Sequence, residues 1–464
     1  MIALYESVES LDKRAVETFA MSEELLMEHA ALAMAREIFK RFERGKVLVV
    51  CGAGNNGADG LALARLLSAR EGFEPKVYLP FGTKCDLGKK QLKRVNALGI
   101  AQVSEVEPSD ILIDALFGGG LNRELGDGAA EIVRAIDDAR AFKIACDIPS
   151  GVDKSGVFDV CAAMDMTVTM GAPKLALFND KVKDRVGEIV VADLGIPRGA
   201  YAASADAFLL EESDLRPPFR QTQDSHKGTY GHLGVVMGDK SGAALLCAMA
   251  ALRFGAGLTT VVSKERHIHL PFDLMQSHKP AETTKAIALG MGLGEAYLDE
   301  ELLEIIGDRS AVVDADALSR PIIRDLLERD APIVLTPHPK EFALLLDRCS
   351  LGSYKVADVQ ERRMALSLEF GRTFPNAVLL LKGANTIITS GDRRFINPLG
   401  TPALAKGGSG DALTGMIGAL LAQGYAPIDA AIHASLAHAV AAKRYNGTNF
   451  SMLPSDLIDL LQTL

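Results

Sequence analysis

The strongest chemical signal in the chain is AKGGSGDALTGMIGALL (405–421). Gly407, Gly408 and Gly410 precede a predicted helix, so their amide N–H groups and the helix dipole form an anion hole, with Asp411 beside it as a base. A hydroxyl held between such a base and such a hole can attack a terminal phosphate, which is the geometry of phosphoryl transfer. A capping role for Asp411 alone would leave the run of glycines without a reason.

Other segments of the same half offer partners. LLLKGANT (379–386) puts Lys382 at a strand end, LGMGLG (289–294) is a second glycine turn, and HKGTYGHLGVVMG (226–238) places His226, Lys227 and Gly228 at an entrance. In LTPHPKEF (335–342), His338 is fixed between two prolines in an extended turn, which suits a substrate contact better than a core position.

The first half has its own cluster. CGAGNNGADG (51–60) follows a strand, opens a helix and holds Gly52, Gly54 and Gly57 at G-x-G-x-x-G spacing. The acidic residue that should end the next strand is missing from KVYLPFGT, which argues against an ordinary NAD-dehydrogenase site. Asn55, Asn56 and Asp59 among the glycines can hold a hard cation or ligand hydroxyls, or can simply shape a tight turn. DALFGGGLNRELG (114–126) adds Asp114 and the Gly118–Gly120 loop, and DIPSG (147–151) adds Asp147 and Ser150. Ligands of doubly wound sheets bind outside the carboxyl ends of strands, so Asn56, Asp114, Asp147 and Ser150 can face one crevice.

Alternating strands and helices must position these groups. KVLVVC (46–51), KVYLP (76–80), DILIDALF (110–117), KIACDIP (143–149), MTVTM (166–170) and GEIVVADLG (187–195) read as buried strands, and stretches such as GADGLALARLLSAR carry apolar residues at i, i+3 and i+4. This predicts an α/β fold with a parallel, doubly wound sheet. The pattern lapses in EESDLRPPFRQTQDSHK (211–227), so we expect one domain over 1–210, a linker over 211–223 and a second α/β domain over 224–464. In that half HLGVVMG, LTTVVS, AIALGMG, SAVVDADAL, APIVLT and AVLLLKG repeat the strand theme, and helices started by Asp411, Pro427 and Pro454 or Ser455 close the chain. An apolar helix over Val16–Phe39 could pair subunits, and a homo-oligomer is expected.

Composition sets the bounds. A length of 464 residues, 48% hydrophobic and 24% charged, exceeds a single core and implies two domains. A net charge of −10 and a pI near 5.5 repel a polyanion, so no nucleic-acid partner is expected and phosphate must be met largely by backbone N–H groups. The 6 cysteines include no C-x-x-C pair, and Cys51 and Cys146 fall inside apolar strands. No apolar run reaches the roughly 18 residues of a membrane span, so no membrane is expected; charge interrupts the apolar residues of MIALYESVESLDKRAVETF, so no signal peptide is expected either, and the cytoplasm is the expected compartment.

G-N-N-G-x-D-G, D-A-L-F-G-x-G-L and D-I-P-S-G, in this order, resemble the YjeF N-terminal family of NAD(P)HX epimerases, as does Leu26-Met27-Glu28-His29-Ala30 near the start. The resemblance spans roughly residues 1–205 and implies a Rossmann-like fold. It implies that Asn55, Asn56, Gly57, Ala58, Asp59, Gly118, Gly119, Gly120, Leu121, Asn122, Arg123, Glu124 and Asp147 contact the hydrated dinucleotide, and that Asn56, Asp114 and Ser150 hold a potassium ion. Ala58 stands where the family has glycine, and His29 where it has asparagine.

H-K-G-x-x-G, G-x-G-L-G, T-P-H-P-x-E, K-G-x-x-T and G-G-S-G-D over residues 224–464 resemble the C-terminal YjeF family, the ribokinase-like, nucleotide-dependent NAD(P)HX dehydratases. This implies an α/β/α domain in which Lys382, Gly383, Ala384, Asn385, Thr386, Gly408, Ser409 and Gly410 bind ADP or ATP with Mg2+. Ala244, Gly292, Gly294, His338 and Asp411 would contact the hydrated substrate. Met291 and Lys340 depart from the family's proline and glycine.

Together the halves imply repair of NADHX and NADPHX: epimerisation of R and S forms, with Asp147 as acid/base, then phosphorylation of the C6 hydroxyl through Asp411 and loss of phosphate. The competing reading is a small-alcohol kinase fused to a ligand-sensing domain.

Overall fold

In the first half, apolar runs covered by helices on both sides pair as a parallel sheet, because such strands have no wet face to offer. The strands are β1 (Gly45–Cys51), β2 (Phe73–Tyr78), β3 (Ala101–Val103), β4 (Ile111–Ala115), β5 (Phe142–Cys146), β6 (Met166–Met170) and β7 (Glu188–Ala192). Their spatial order is β3-β2-β1-β4-β5-β6-β7, all parallel. The order reverses between β1 and β4, which opens a crevice at their carboxyl ends. This computed structural model describes residues 1–464 except 122, 123, 203, 267 and 268.

One face of this sheet is closed by Met34, Ile38, Leu61 and Leu63, the other by Val133 and Ile136 against Leu48 and Leu112. The turn after β1 can be made only by glycine. A Cβ on Gly52 would lie 1.8 Å from the Leu116 carbonyl oxygen, and one on Gly57 would lie 1.9 Å from that of Gly52. The single helix expected over 16–39 is instead two helices, Glu9–Phe19 and Glu23–Arg41. Ala20 turns left-handed at φ 54°, and Ser22 restarts the helix by accepting the Leu25 N–H on its hydroxyl.

The second half builds a mixed sheet from β8 (Ala207–Leu209), β9 (His232–Val236), β10 (Leu258–Val262), β11 (Met275–Ser277), β12 (Ala286–Leu289), β13 (Ser310–Val313), β14 (Ile333–Leu335), β15 (Ala377–Leu381), β16 (Thr386–Ser390) and β17 (Arg393–Asn397). They run β8-β17-β16-β15-β14-β13-β12-β9-β10-β11. The pairs β15–β16 and β16–β17 are antiparallel and the rest parallel. The closing helices are Ser409–Ala422, Pro427–Lys443 and Pro454–Leu460. The first of these is buried nearly all round and lies so close to the helix Ser241–Arg253 that a Cβ on Gly415 would stand 2.0 Å from the Cys247 carbonyl oxygen.

Two compact units result: Ala3–Ala207, and Met1–Ile2 with Phe208–Leu464. Residues 211–223 belong to the second unit and hold one short turn of helix, Glu212–Asp214. All six cysteines are free thiols, with Cys51 and Cys146 fully buried in strands. Among the described residues no helix is long and apolar enough to cross a membrane.

Candidate functional site

In the first unit the carboxyl ends of β1, β4, β5 and β6 surround a cavity of about 940 Å³. Asn55, Asn56 and Asp59 enter it from the helix that follows β1, and Gly118–Leu121 and Glu124 from the segment after β4. Gly57 and Ala58, on the same helix, turn into the protein interior, and Ala58 is fully buried. Asn122 and Arg123 lie outside the described residues.

Asp147 is the centre of this cavity's charge. It follows β5 with φ at 74°, a left-handed backbone that a non-glycine residue holds only under constraint. Lys174, 3% exposed and four residues beyond β6, forms an ion pair with its Oδ1 and donates to the Met170 carbonyl at 2.8 Å. The Met170 and Gly119 amides donate to Asp147 at 3.1 and 3.3 Å, and the Thr169 hydroxyl at 3.3 Å. Burial works to raise this carboxyl, but the Lys174 charge and these donors hold it below the usual carboxylate range. Asp59 has the opposite fate: burial, with Asp147 and Asp12 nearby, pushes it well above that range. The rings of Phe81 and Phe117 on the cavity wall stand 6.3 Å apart, and Lys84 and Lys154 add cationic groups.

Asp114 and Ser150 lie beneath this cavity, both fully buried. The Ser150 hydroxyl and amide donate to Asp114 at 2.5 and 2.8 Å, and the Leu116 amide at 3.2 Å. Ser150 Oγ in turn accepts the Phe117 amide at 2.9 Å. Burial raises the Asp114 carboxyl, and the groups that oppose it are neutral. The Asn56 amide nitrogen is buried and has no hydrogen-bond partner among the described residues.

In the second unit the site collects at the carboxyl ends of β12 to β15 and the N-terminus of the helix Ser409–Ala422. Gly408 caps that helix at φ 96°, where a Cβ would strike Pro454 at 2.6 Å. Ser409 is fixed by buried His438, whose Nε2 lies 3.2 Å from its hydroxyl and 3.0 Å from its carbonyl oxygen. Asp411, in the first turn, is pushed up to about 6 by burial and by Asp314, against the pull of Lys382. Lys382 donates to Asp314 at 2.8 Å and lies 3.9 Å from Glu341.

Gly383 and Ala384 are exposed beyond Lys382, Asn385 is buried, and Thr386 begins β16. His338 is exposed and caps the helix Pro339–Arg348, accepting the Glu341 N–H on Nδ1 at 3.2 Å. Gly292 and Gly294 take positive φ after β12, pressed against Lys240 and Asp239. Ala244 is fully buried on the helix Ser241–Arg253.

Residues 23–176 match the model of the YjeF-related protein N-terminus, and residues 233–463 that of NAD(P)H-hydrate dehydratase. The bifunctional NAD(P)H-hydrate repair enzyme Nnr of Helicobacter pylori is 39% identical over 477 residues, covering 100% of both chains. The chain belongs to the bifunctional NAD(P)H-hydrate repair enzyme family. The namesake from Coxiella burnetii is 33% identical over 100% of this chain and 99% of its own. A solved ADP/ATP-dependent NAD(P)H-hydrate dehydratase from Bacillus subtilis, co-crystallised with ATP/Mg2+, is 29% identical over 56% of this chain and 98% of that one, with a TM-score of 0.48.

Membership makes the chain a repair enzyme with an epimerase part in its first half and a dehydratase part in its second, and removes the small-alcohol kinase reading. Sequence reasoning passed over Lys174, Asp314 and Thr414. The signal for the first two was position alone: Gly171-Ala172-Pro173-Lys174 follows β6 and Asp314 follows β13, at the same sheet edges as the motifs.

Proposed function

We propose that the second unit dehydrates the S epimer of NADHX or NADPHX with ADP, or ATP, as phosphoryl donor, and that the first unit interconverts the R and S epimers. The observation that carries the reading is Asp411, a carboxyl raised to about 6 in the first turn of a helix whose amides and neighbouring Lys382 attract phosphate. The C6 hydroxyl of the hydrate is a poor leaving group. Asp411 takes its proton, the oxygen bonds to the terminal phosphorus, and the P–O bond to the rest of the nucleotide breaks, leaving AMP from ADP. The ring nitrogen's lone pair then expels phosphate from C6, and loss of a C5 proton restores the double bond of NAD(P)H.

The Gly408, Ser409 and Gly410 amides would stabilise the moving phosphoryl group, and Lys382–Thr386 the nucleotide. His338, Gly292, Gly294 and Ala244 would border the hydrated ring. The first-turn amides and the Lys382 ammonium would face the phosphates, and magnesium carried on the nucleotide would supply further positive charge to them.

At C6 the hydroxyl and the ring nitrogen share one carbon, so loss of water gives an iminium that water rejoins from either face. Asp147, held ionised by Lys174, would take and return the proton of the attacking water, while Asp59 would protonate the departing hydroxyl. Phe81 and Phe117 offer stacking surfaces to the rings. Asn56, Asp114 and Ser150 would hold a potassium ion. Their oxygens suit a hard cation, and among the described residues the buried Asp114 carboxyl is met by neutral donors, so a bound cation would offset the burial that raises it. Bound there, the ion would supply a fixed positive charge to Asp114 and the segment it holds. Six unpaired thiols suit the reducing cytoplasm.

Purified protein mixed with both NADHX epimers and ADP or ATP, followed by nicotinamide absorbance, tests this reading. Complete recovery of the mixture is expected. Recovery of one epimer alone would remove the epimerase half, and a stable phosphorylated alcohol without NADH would remove the dehydratase half.

A further inference from the structure

We propose that Asp314 is a positioning residue of the dehydratase, holding the Lys382 ammonium against the first turn of the Asp411 helix, where the transferring phosphoryl group would sit. This rests on the reading of Asp411 as the base.

Asp314 directly follows β13 and is 2% exposed. Its two carboxylate oxygens serve different elements. Oδ1 accepts from Lys382, at the end of β15, at 2.8 Å, and Oδ2 accepts the Thr414 hydroxyl at 3.0 Å. Thr414 is one turn beyond Gly410 on the Asp411 helix, and its single hydroxyl proton is shared between Asp314 and the Gly410 carbonyl, which also lies 3.0 Å away. One carboxylate thus ties a strand-end cation to the helix that presents the base. A Cβ on Gly410 would lie 3.4 Å from Lys382 Nζ and 3.7 Å from Asp314 Oδ2, so both charges rest directly on that first turn.

The backbone under Asp314 is equally constrained. Its amide donates to Leu289 at 3.1 Å, its carbonyl oxygen lies 1.8 Å from where a Gly290 Cβ would be, and Ala315 follows at φ 47°. Packing alone gives no reason for this arrangement, since a buried ion pair is often no more stabilising than apolar side chains of equal volume. An ammonium has three N–H groups. Anchoring one to Asp314 aims the others at phosphate oxygens.

Among the described residues, Asp411 interacts with Asp314 after β13, Lys382 after β15 and Cys247 on the helix Ser241–Arg253; Glu341 lies 3.9 Å from Lys382, and His438, on the helix Pro427–Lys443, meets Ser409 and Lys382. Of these Asp314 raises the Asp411 carboxyl and Lys382 lowers it. Removing the Asp314 charge therefore shifts the acid limb of turnover to lower pH.

The test uses the full chain carrying D314N, T414V or D411N, assayed for ADP-dependent dehydration of the S epimer across pH, with thermal unfolding and epimer exchange measured on the same preparations. D314N is expected to lose roughly 10- to 100-fold in kcat, the scale on which a displaced positioning group costs rate, with KM for the hydrate little changed and the acid limb displaced downward. T414V is expected to lose less, with the limb in place. Wild-type kcat and limb in D314N, beside an inactive D411N, would overturn the proposal. Should D314N fail to fold, T414V decides: lowered kcat at native melting supports the proposal, and wild-type kcat overturns it. Turnover surviving in D411N would instead remove the base assignment on which the proposal rests.

Discussion

Lys174 reaches from the loop after β6 to the carboxylate of Asp147 after β5, so the ends of two neighbouring strands are clamped by one buried ion pair on the cavity wall. The clamp keeps Asp147 ionised while Asp59, in the same cavity, is driven toward its protonated form. Two carboxyls pushed apart in this way are the arrangement an acid and a base require.

Asp147→Asn is therefore expected to abolish exchange between the R and S hydrates while the S epimer is still dehydrated. Chiral separation of the hydrates, run beside the absorbance assay, measures both; equal loss of the two activities would place the role of Asp147 elsewhere.

Lys174→Met removes the charge that lowers the Asp147 carboxyl while leaving the burial that raises it. The sign is an upward shift: epimerase activity in the variant should fade at a higher pH than in the wild type as the solution is acidified. An unmoved acid limb would mean that Asp147 is not the titrating base.

Dehydration in the wild type should decline as pH falls through about 6, where Asp411 takes up its proton. Asp411→Asn should bind nucleotide and turn over at a rate lower by about 10³-fold or more, as expected when a base and the positioning it provides are lost together. Equilibrium binding of ADP paired with single-turnover kinetics separates the two effects.

Potassium should raise the melting temperature and epimerase rate of the first unit relative to a bulky monovalent cation. Asp114→Asn, which removes the buried charge, should erase that response. A wild type indifferent to potassium would leave Asn56, Asp114 and Ser150 as a structural hydrogen-bond cluster.

Gly415→Ala should cost the second unit about 1–3 kcal/mol, because a methyl group at 2.0 Å from the Cys247 carbonyl oxygen forces two helices apart. Denaturant titration would show an early transition with dehydratase activity lost. Unchanged stability would mean that the helices separate without strain.

The sheets were legible because parallel strands buried on both faces leave long apolar runs. VLVVC, ILIDA and MTVTM stand out, and each is a strand. The β16–β17 hairpin was not read, since TIITSGDRRFIN is short and its turn rests on Gly391 at φ 57°. The break at Ala20 was hidden because alanine is a strong helix former, and only tertiary packing holds it left-handed. Glycine motifs marked both candidate sites, since backbone approach at Gly52 and Gly408 leaves no room for a side chain. Lys174 and Thr414 carried no such mark: their neighbours in space come from other strands and helices, which local spacing does not encode.

The segment Lys382–Asn385 joins β15 to β16, and the pairs Leu381↔Ile387 and Leu380↔Ile388 close it like a staple. A loop pinned at both ends by cross-strand pairs has little conformational freedom left to surrender when a nucleotide arrives. If Lys382–Thr386 bind the nucleotide as proposed, discrimination between ADP and ATP would fall to the fit of the phosphate chain, and the heat capacity change on binding should be small, as for docking onto a surface that is already in place.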